Sequence, residues 1–261
     1  MFYFNEEFAQ SFHGADPFKK LRSMEGNIYR QLKGRKTFQF SLNDKSYFVK
    51  LHTGVGWAEI VKNILQFRLP ILGAENEWRA IHKLQELGVA TLNAVAYGSR
   101  GINPAGRESF IITEELSNTV SLEDFCKNWR ENPPIPQLRW QLVREVARIS
   151  QMLHSNGICH RDYYLCHFLL HKDQTNTTEL SLIDLHRALV KEKLAKRWII
   201  KDIAGLYYSA MNIGLTRRDL LRFIKYYSKG SLRMSLTRDK NFWRRIEQRA
   251  QRMYEKLGPS I

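Results

Sequence analysis

The apolar residues of this chain recur at every second position in its front half and at every third or fourth in its back half, with the changeover near residues 115–120. In the front half, Thr37-Phe38-Gln39-Phe40-Ser41-Leu42 alternates, the polar Asn43-Asp44-Lys45 intervenes, and Tyr47-Phe48-Val49-Lys50-Leu51 resumes. Two short apolar runs around an Asn-Asp pair specify a β-hairpin. An earlier strand near Ile28–Leu32 is expected to turn at Lys33-Gly34-Arg35, and further strands are expected at 91–98 and 109–114. Trp57, Ile60, Val61, Ile64 and Leu65 share one helical face over 57–67, and a second helix covers 75–87, stopped at Gly88. Behind the changeover, 119–130, 137–155 and most of 198–257 are helical by period, with short strand-like runs in 158–190. This patterning predicts an α+β protein of two lobes, a β-rich N-lobe over 1–116 and a helical C-lobe over 117–261, with any ligand in a cleft between them.

Of the 261 residues, 43% are hydrophobic and 12% aromatic, enough for a real core and incompatible with disorder or a small disulfide scaffold. No apolar run approaches the roughly 18 residues of a spanning helix. Glu6 and Glu7 stand where a secretory signal would carry cations, so none is expected. Three cysteines, Cys126, Cys159 and Cys166, fit a reducing, cytoplasmic compartment. The formal charge is +15, and residues 191–261 hold 18 basic against 6 acidic residues. So uneven a distribution points to an anionic partner, either nucleic acid, phospholipid or a phosphorylated substrate. Arg217, Arg218, Arg222 and Lys225, then Arg238, Arg245, Arg249 and Arg252, fall at helical spacing, with Leu220, Leu221, Phe223 and Ile224 expected to pack inward.

The densest polar segment is Gly157-Ile158-Cys159-His160-Arg161-Asp162-Tyr163-Tyr164-Leu165-Cys166-His167, leading into Phe168-Leu169-Leu170. Two thiols and two imidazoles could form a zinc ligand set, but neither CxxC nor HxxxH spacing occurs. Phosphoryl transfer accounts for more of the residues. Asp162 on a loop can accept a hydroxyl proton, and Asp184, delivered by the run Leu180-Ser181-Leu182-Ile183, can hold Mg²⁺ on nucleotide phosphates. Lys50, inside a strand, is oddly placed for a solvated lysine, and Glu77 on the next helix can pair with it, with Glu75 as the competitor.

In that order (strand lysine, helix glutamate, His-Arg-Asp, strand-end aspartate) the chain resembles the protein-kinase-like fold. More narrowly it resembles the lipopolysaccharide core heptose(I) kinases of Gram-negative bacteria. That likeness runs through Asp16-Pro17-Phe18, Tyr47–Lys50, Pro70-Ile71-Leu72-Gly73-Ala74, Phe110–Leu116, His160–Leu170, Ile183–Ala188 and Met211–Thr216. The resemblance implies ATP and Mg²⁺ as cofactors and O4 of the first heptose as acceptor. It casts Lys50 and Glu77 as the nucleotide-phosphate pair, Glu114-Glu115-Leu116 as the hinge whose backbone meets adenine, and Asp162 as the base. Asp184 becomes the metal ligand, and Asp202, with His160 and Arg161, the support of the catalytic loop, Arg161 through a carboxylate pair. It further implies work at the cytoplasmic leaflet of the inner membrane on a lipid-linked inner-core acceptor, and association with acylated acyl carrier protein. The 57–67 helix is then either core or an apolar surface for an acyl chain, membrane or partner.

Departures from the wider kinase pattern are specific. No GxGxxG occurs, and Arg35 and Lys36 stand where its glycines would cradle phosphate. His167 replaces the usual metal-binding asparagine, Leu-His follows Asp184, and no Ala-Pro-Glu appears, so activation-loop switching is not expected. The rival readings are the same fold acting on protein tyrosine or another sugar, and a basic nucleic-acid-binding protein. The intact Lys50, Asp162 and Asp184 set and the lack of an RNA-module signature argue against the last.

Overall fold

The computed structural model describes residues 1–32, 34–65, 72–172 and 178–260. Lys33 of the expected turn and Pro70-Ile71 of the family-like segment lie outside them. Two compact units emerge: Met1–His82 with Leu92–Ser117, and Lys83–Thr91 with Asn118–Ile261.

The first unit holds β1 (Phe2–Phe4), α1 (Glu6–Ser11), α2 (Pro17–Ser23), β2 (Asn27–Leu32), β3 (Arg35–Leu42), β4 (Lys45–Thr53), α3 (Gly56–Leu65), the start of α4 (Glu75–Glu86), β5 (Ala94–Arg100) and β6 (Glu108–Glu114). Its six strands form one antiparallel sheet in the order β1-β5-β6-β4-β3-β2. Asn43 and Asp44 both take positive φ, 48° and 60°, the pairing a two-residue hairpin turn demands. The other turn is shorter than the sequence suggests. Arg35 pairs with Leu32 and already belongs to β3, because Gly34 at φ 80° absorbs the reversal.

Along β4 the side chains of Tyr47, Val49 and Leu51 are buried, which sends Lys50 to the opposite face of the sheet. The buried face meets Phe8, Phe18, Phe38 and Phe110. Each such ring contributes about 2 kcal/mol of transfer free energy. Asn5 and Asp16 cap α1 and α2 by accepting from the amides of Phe8 and Phe18, at 2.9 Å each. Of the helix expected over 57–67, residues 57–65 belong to α3 (Gly56–Leu65), and 66–67 lie outside the described residues. Ile60 is buried there, whereas Trp57, Val61, Ile64 and Leu65 are exposed.

The second unit contains β7 (Thr119–Ser121), α5 (Leu122–Cys126), α6 (Pro136–Ser155), β8 (Ile158–Cys159), β9 (Phe168–His171), β10 (Leu180–Leu182), β11 (Leu189–Val190), α7 (Lys196–Ala210), α8 (Arg217–Ser228), α9 (Leu232–Arg238) and α10 (Lys240–Leu257). Residues 119–121 are strand rather than the start of a helix, because Val120 pairs with Leu170 of β9 fifty residues on. Ser121 then caps α5 through the Asp124 amide. At Gly157 (φ 78°) a Cβ would collide with the Lys191 carbonyl. Glycine alone permits the tight exit from α6 into β8, which pairs with β11.

Ile200, Ile203 and Ala204 of α7 pack on Ile246 and Ala250 of α10. Between α5, α6, α7, α8 and α10 lies an apolar cavity of about 470 Å³, walled by Leu122, Leu142, Val146, Leu206, Phe223 and Trp243. Leu220, Leu221, Phe223 and Ile224, expected to pack inward, are half-buried: Phe223 packs on the α7–α10 cluster, and Leu220, Phe223 and Ile224 line this space. Among the described residues, no helix is long and apolar enough to cross a membrane.

Candidate active site

In the first unit Lys50 Nζ donates to Glu77 Oε1 at 2.6 Å, with Glu77 wholly buried and the Lys50 side chain 15% exposed. The competitor Glu75 is half-buried and paired instead with Arg107, at 3.0 Å. The pair's central place follows from the sheet: Lys50 stands between Thr37 of β3 and Ile111 of β6. Lys36 lays its ammonium over the Phe38 ring, 4.6 Å from the centroid, and Arg35 sits beside it at the head of β3.

Of the three hinge residues, Glu114 and Glu115 have their amides engaged, donating to the carbonyls of Asn93 and Ser46 at 2.9 Å each. Those two N–H groups are therefore not available to adenine, a correction to the reading that gave the whole Glu114-Glu115-Leu116 backbone to the base. Their side chains are tied as well: Glu114 accepts from Asn93 and Glu115 from Gln39, both at 2.7 Å.

In the second unit the loop after β8 is held from beneath. The buried Asp202 carboxylate accepts the backbone amides of His160 at 2.7 Å and Arg161 at 2.8 Å. Burial would push this carboxyl up, but the His154 imidazole 3.5 Å away and the nearby His160 outweigh it and hold Asp202 below the usual carboxylate range. His160 is fully buried, donates from Nε2 to the Ile183 carbonyl at 2.9 Å, and is kept neutral by that burial. Arg161 takes left-handed backbone (φ 73°). It meets a carboxylate through its amide, not through its guanidinium as expected from sequence. The guanidinium instead donates to the Arg187 carbonyl at 3.3 Å and lies over Trp198.

Held this way, the loop presents Asp162, whose two oxygens accept from Arg187 Nη1 at 2.8 and 3.0 Å. Sequence reasoning misses Arg187. The Leu-His-Arg that follows Asp184 is visible, but nothing in spacing says that its arginine folds back twenty-five residues.

His167 joins the two aspartates. Its carbonyl accepts the Ile183 amide at 3.0 Å, fixing the residue before Asp184 against the loop. Its Nδ1 is 2.6 Å from the Asp162 carbonyl oxygen; a carbonyl only accepts, so Nδ1 carries the proton and Nε2 presents a lone pair. That lone pair is 3.6 Å from Asp184 Oδ2, while Oδ1 accepts from His186 Nδ1 at 2.7 Å. Two electron-rich atoms facing each other at that separation suit a shared cation. Mg²⁺ commonly takes one or two carboxylates and fills its shell with phosphate oxygens and water, so Asp184 fits it, whereas the His167 imidazole suits softer metals better. Among the described residues no cluster of three or more metal-binding side chains occurs. The zinc alternative is weakened by burial, which pushes the Cys166 thiol up to about 11 and the Cys159 thiol higher still, far from the thiolate zinc requires.

The arrangement has close counterparts. Residues 19–227 match the family described as lipopolysaccharide kinase (Kdo/WaaP). The chain is 48% identical over 254 residues to the lipopolysaccharide core heptose(I) kinase WaaP of Pseudomonas aeruginosa, covering 96% of this chain and 95% of that one. It is 44% identical to WaaP of Escherichia coli K12, over 96% of each. A solved structure of WaaP in complex with acyl carrier protein superimposes with a TM-score of 0.86 at 44% identity, over 97% of this chain and 99% of that chain. The fold is accordingly the two-lobed α+β protein-kinase-like one, and the chain belongs to the lipopolysaccharide kinase (Kdo/WaaP) family.

Proposed function

We propose that this protein transfers the γ-phosphoryl group of ATP to O4 of the first heptose of the lipopolysaccharide inner core, at the cytoplasmic leaflet of the inner membrane of a Gram-negative bacterium. The observation that carries the reading is the His167 bridge, which holds the Asp162 loop and Asp184 to one another although they are far apart in the chain. The relatives named as heptose(I) kinases supply the acceptor.

In this mechanism Asp162 orients the sugar hydroxyl and takes its proton as the oxygen attacks phosphorus. Lys50, braced by Glu77, holds nucleotide phosphates, and Arg35 and Lys36 add positive charge where glycines are missing. The hinge at Glu114-Glu115-Leu116 receives the adenine through backbone groups other than the Glu114 and Glu115 amides. Asp184, with His167 beside it, would hold Mg²⁺, which when bound would supply positive charge to the nucleotide phosphates. Phosphoryl transfer asks little covalent work of a protein, so positioning and electrostatics supply most of the rate.

The basic C-terminal helices suit a polyanionic, lipid-linked acceptor, with one exception. Arg222 is engaged with Asp219 at 2.8 Å and stacked on Trp140, so it belongs to the packing of α8. The exposed apolar face of α3 suits a membrane interface. Acylated acyl carrier protein is the proposed protein partner: a solved relative is a complex with acyl carrier protein, and the 470 Å³ apolar cavity has room for an acyl chain.

The deciding experiment is ATP-dependent phosphate incorporation into dephosphorylated core lipopolysaccharide, the parent against Asp162→Ala. Loss of turnover by at least about a hundredfold is expected, with binding of a non-hydrolysable nucleotide retained. Parent-like rates in the variant would remove Asp162 as the base, and preference for a tyrosine peptide or another sugar would change the acceptor.

A further inference from the structure

Asp202 carries the backbone from which Asp162 projects, and its carboxylate has a further neighbour, the His154 imidazole of α6. That side chain is 2% exposed, and its Nε2 stands 3.5 Å from Asp202 Oδ2. The approach is longer than a well-formed hydrogen bond, and among the described residues Nε2 has no hydrogen-bond partner. Asp202 therefore does not fix the ring. The polar contact that does is made at the other nitrogen. His154 Nδ1 lies 3.0 Å from the hydroxyl of Tyr227, near the end of α8.

A carboxylate only accepts, so the nitrogen that faces it, Nε2, carries the proton. In the neutral ring Nδ1 is then a lone pair, and the Tyr227 hydroxyl donates to it. The opposite tautomer would turn a lone pair toward a buried carboxylate, at a cost that dry surroundings raise. Tyr227 is itself held in place. Its ring stacks on Phe223, with centroids 5.9 Å apart, and meets Trp243 of α10 edge-on at 5.7 Å. Burial, with Asp202 nearby, holds the hydroxyl above the usual tyrosine range, so it keeps its proton. Tyr226, one position earlier, is exposed and lies under the Arg144 guanidinium instead.

We propose that Tyr227 is a positioning residue for phosphoryl transfer. Its hydroxyl fixes the tautomer and orientation of His154, whose Nε2–H steadies Asp202 and, through it, the His160–Arg161 backbone that presents Asp162. The inference rests on Asp162 being the base. Tyr227 acts from a distance: α8, α6, α7 and the loop after β8 are joined in one polar chain, with one contact at each step.

The test is Tyr227→Phe, which deletes one oxygen and keeps a ring between Phe223 and Trp243. With ATP and dephosphorylated core lipopolysaccharide, kcat should fall about three- to tenfold, the scale of one hydrogen bond. KM for ATP should stay within about twofold of the parent, because ground-state binding is untouched. An effect that passes through His154 must also be non-additive. In a His154→Leu background, itself slower than the parent, adding Tyr227→Phe should change kcat by less than about twofold.

Nitrogen NMR of the resting protein reads the same link without activity. In the parent, His154 Nε2 should carry the proton and Nδ1 should show an accepted hydrogen bond. In Tyr227→Phe, Nδ1 should move toward the value of an unbonded imine nitrogen, and the His160 and Arg161 amide signals should move with it. Parent-like kcat in Tyr227→Phe, an equal loss in both backgrounds, or a proton on Nδ1 in the parent would each overturn the proposal. If His154→Leu does not fold, the NMR comparison of parent and Tyr227→Phe decides, and unchanged His160 and Arg161 amides overturn it. Parent-like rates in Asp162→Ala, or a parent inactive on lipopolysaccharide, would count against the proposed function instead, and the NMR comparison still decides the role of Tyr227.

Discussion

Each unit holds an ion pair at residues proposed for the site, and the two pairs are built on different terms. Lys50 and Glu77 meet at 2.6 Å with the carboxylate wholly out of water. Asp162 and Arg187 meet at 2.8 Å with both side chains partly wet. A dry pair fixes a charge in place and tolerates no change of partner, since either ion left alone is buried and uncompensated. A wet pair is weakly bound and can share its cation with something that arrives. Under the proposed mechanism the first suits a group that stands ready for the same phosphates at every turnover, and the second a carboxylate that exchanges its neighbour for a substrate.

The strongest way to break this contrast is Glu77→Ala. Stranding the lysine should cost about 3 kcal/mol of stability, read from chemical denaturation. The double variant Lys50→Met with Glu77→Gln should regain most of that stability yet stay inactive. If the single change costs nothing, the pair is not dry.

Acid supplies a second, intermediate test, aimed at the unit with the wet pair. Asp202 sits below the usual carboxylate range and His160 below the usual imidazole range. Both folded-state values are depressed, so the stability that each contributes is present above its unfolded value, about 4 for Asp and about 6.5 for His. It is lost as pH falls through and below that value. Stability should begin to decline below about pH 6.5 and fall further below about pH 4, by up to about 1.4 kcal/mol per pH unit for each proton taken up. Asp202→Asn should shrink the lower step without touching the upper one, the remainder belonging to carboxylates such as Asp219 and Asp16 that are also held low; a lower step of unchanged size would show that Asp202 takes no part in it.

The smallest effect is expected from Arg187→Ala, which should change stability by less than about 1 kcal/mol. A loss comparable to that of Glu77→Ala would erase the distinction between the pairs.

Much of this is readable from local pattern. Asn43-Asp44 announces the hairpin because few other residues tolerate two successive positive φ values. α4 and α6 are visible because their apolar faces repeat over three turns or more. β1, α1 and α2 escape such a reading, since each is short and makes sense only against distant rings such as Phe110. The change at Thr119 from helix to strand depends on a partner fifty residues away, which no local period contains. At the site, the Lys50–Glu77 and Asp162–Asp184 relations follow from ordered motifs. The Arg187 contact depends on how a short loop folds back, and the cavity is a matter of what does not quite fill space. Periodicity shows which faces turn inward and is silent on whether they meet.

Asp184 takes left-handed backbone and opens a single 3-10 turn, Leu185–Arg187, after which one residue, Ala188, leads directly into β11 against β8. So brief a return ties the backbone after Asp184 to the strand that leads into the Asp162 loop, and a displacement of one end of the turn has to be passed on to the β8–β11 pairing at the other.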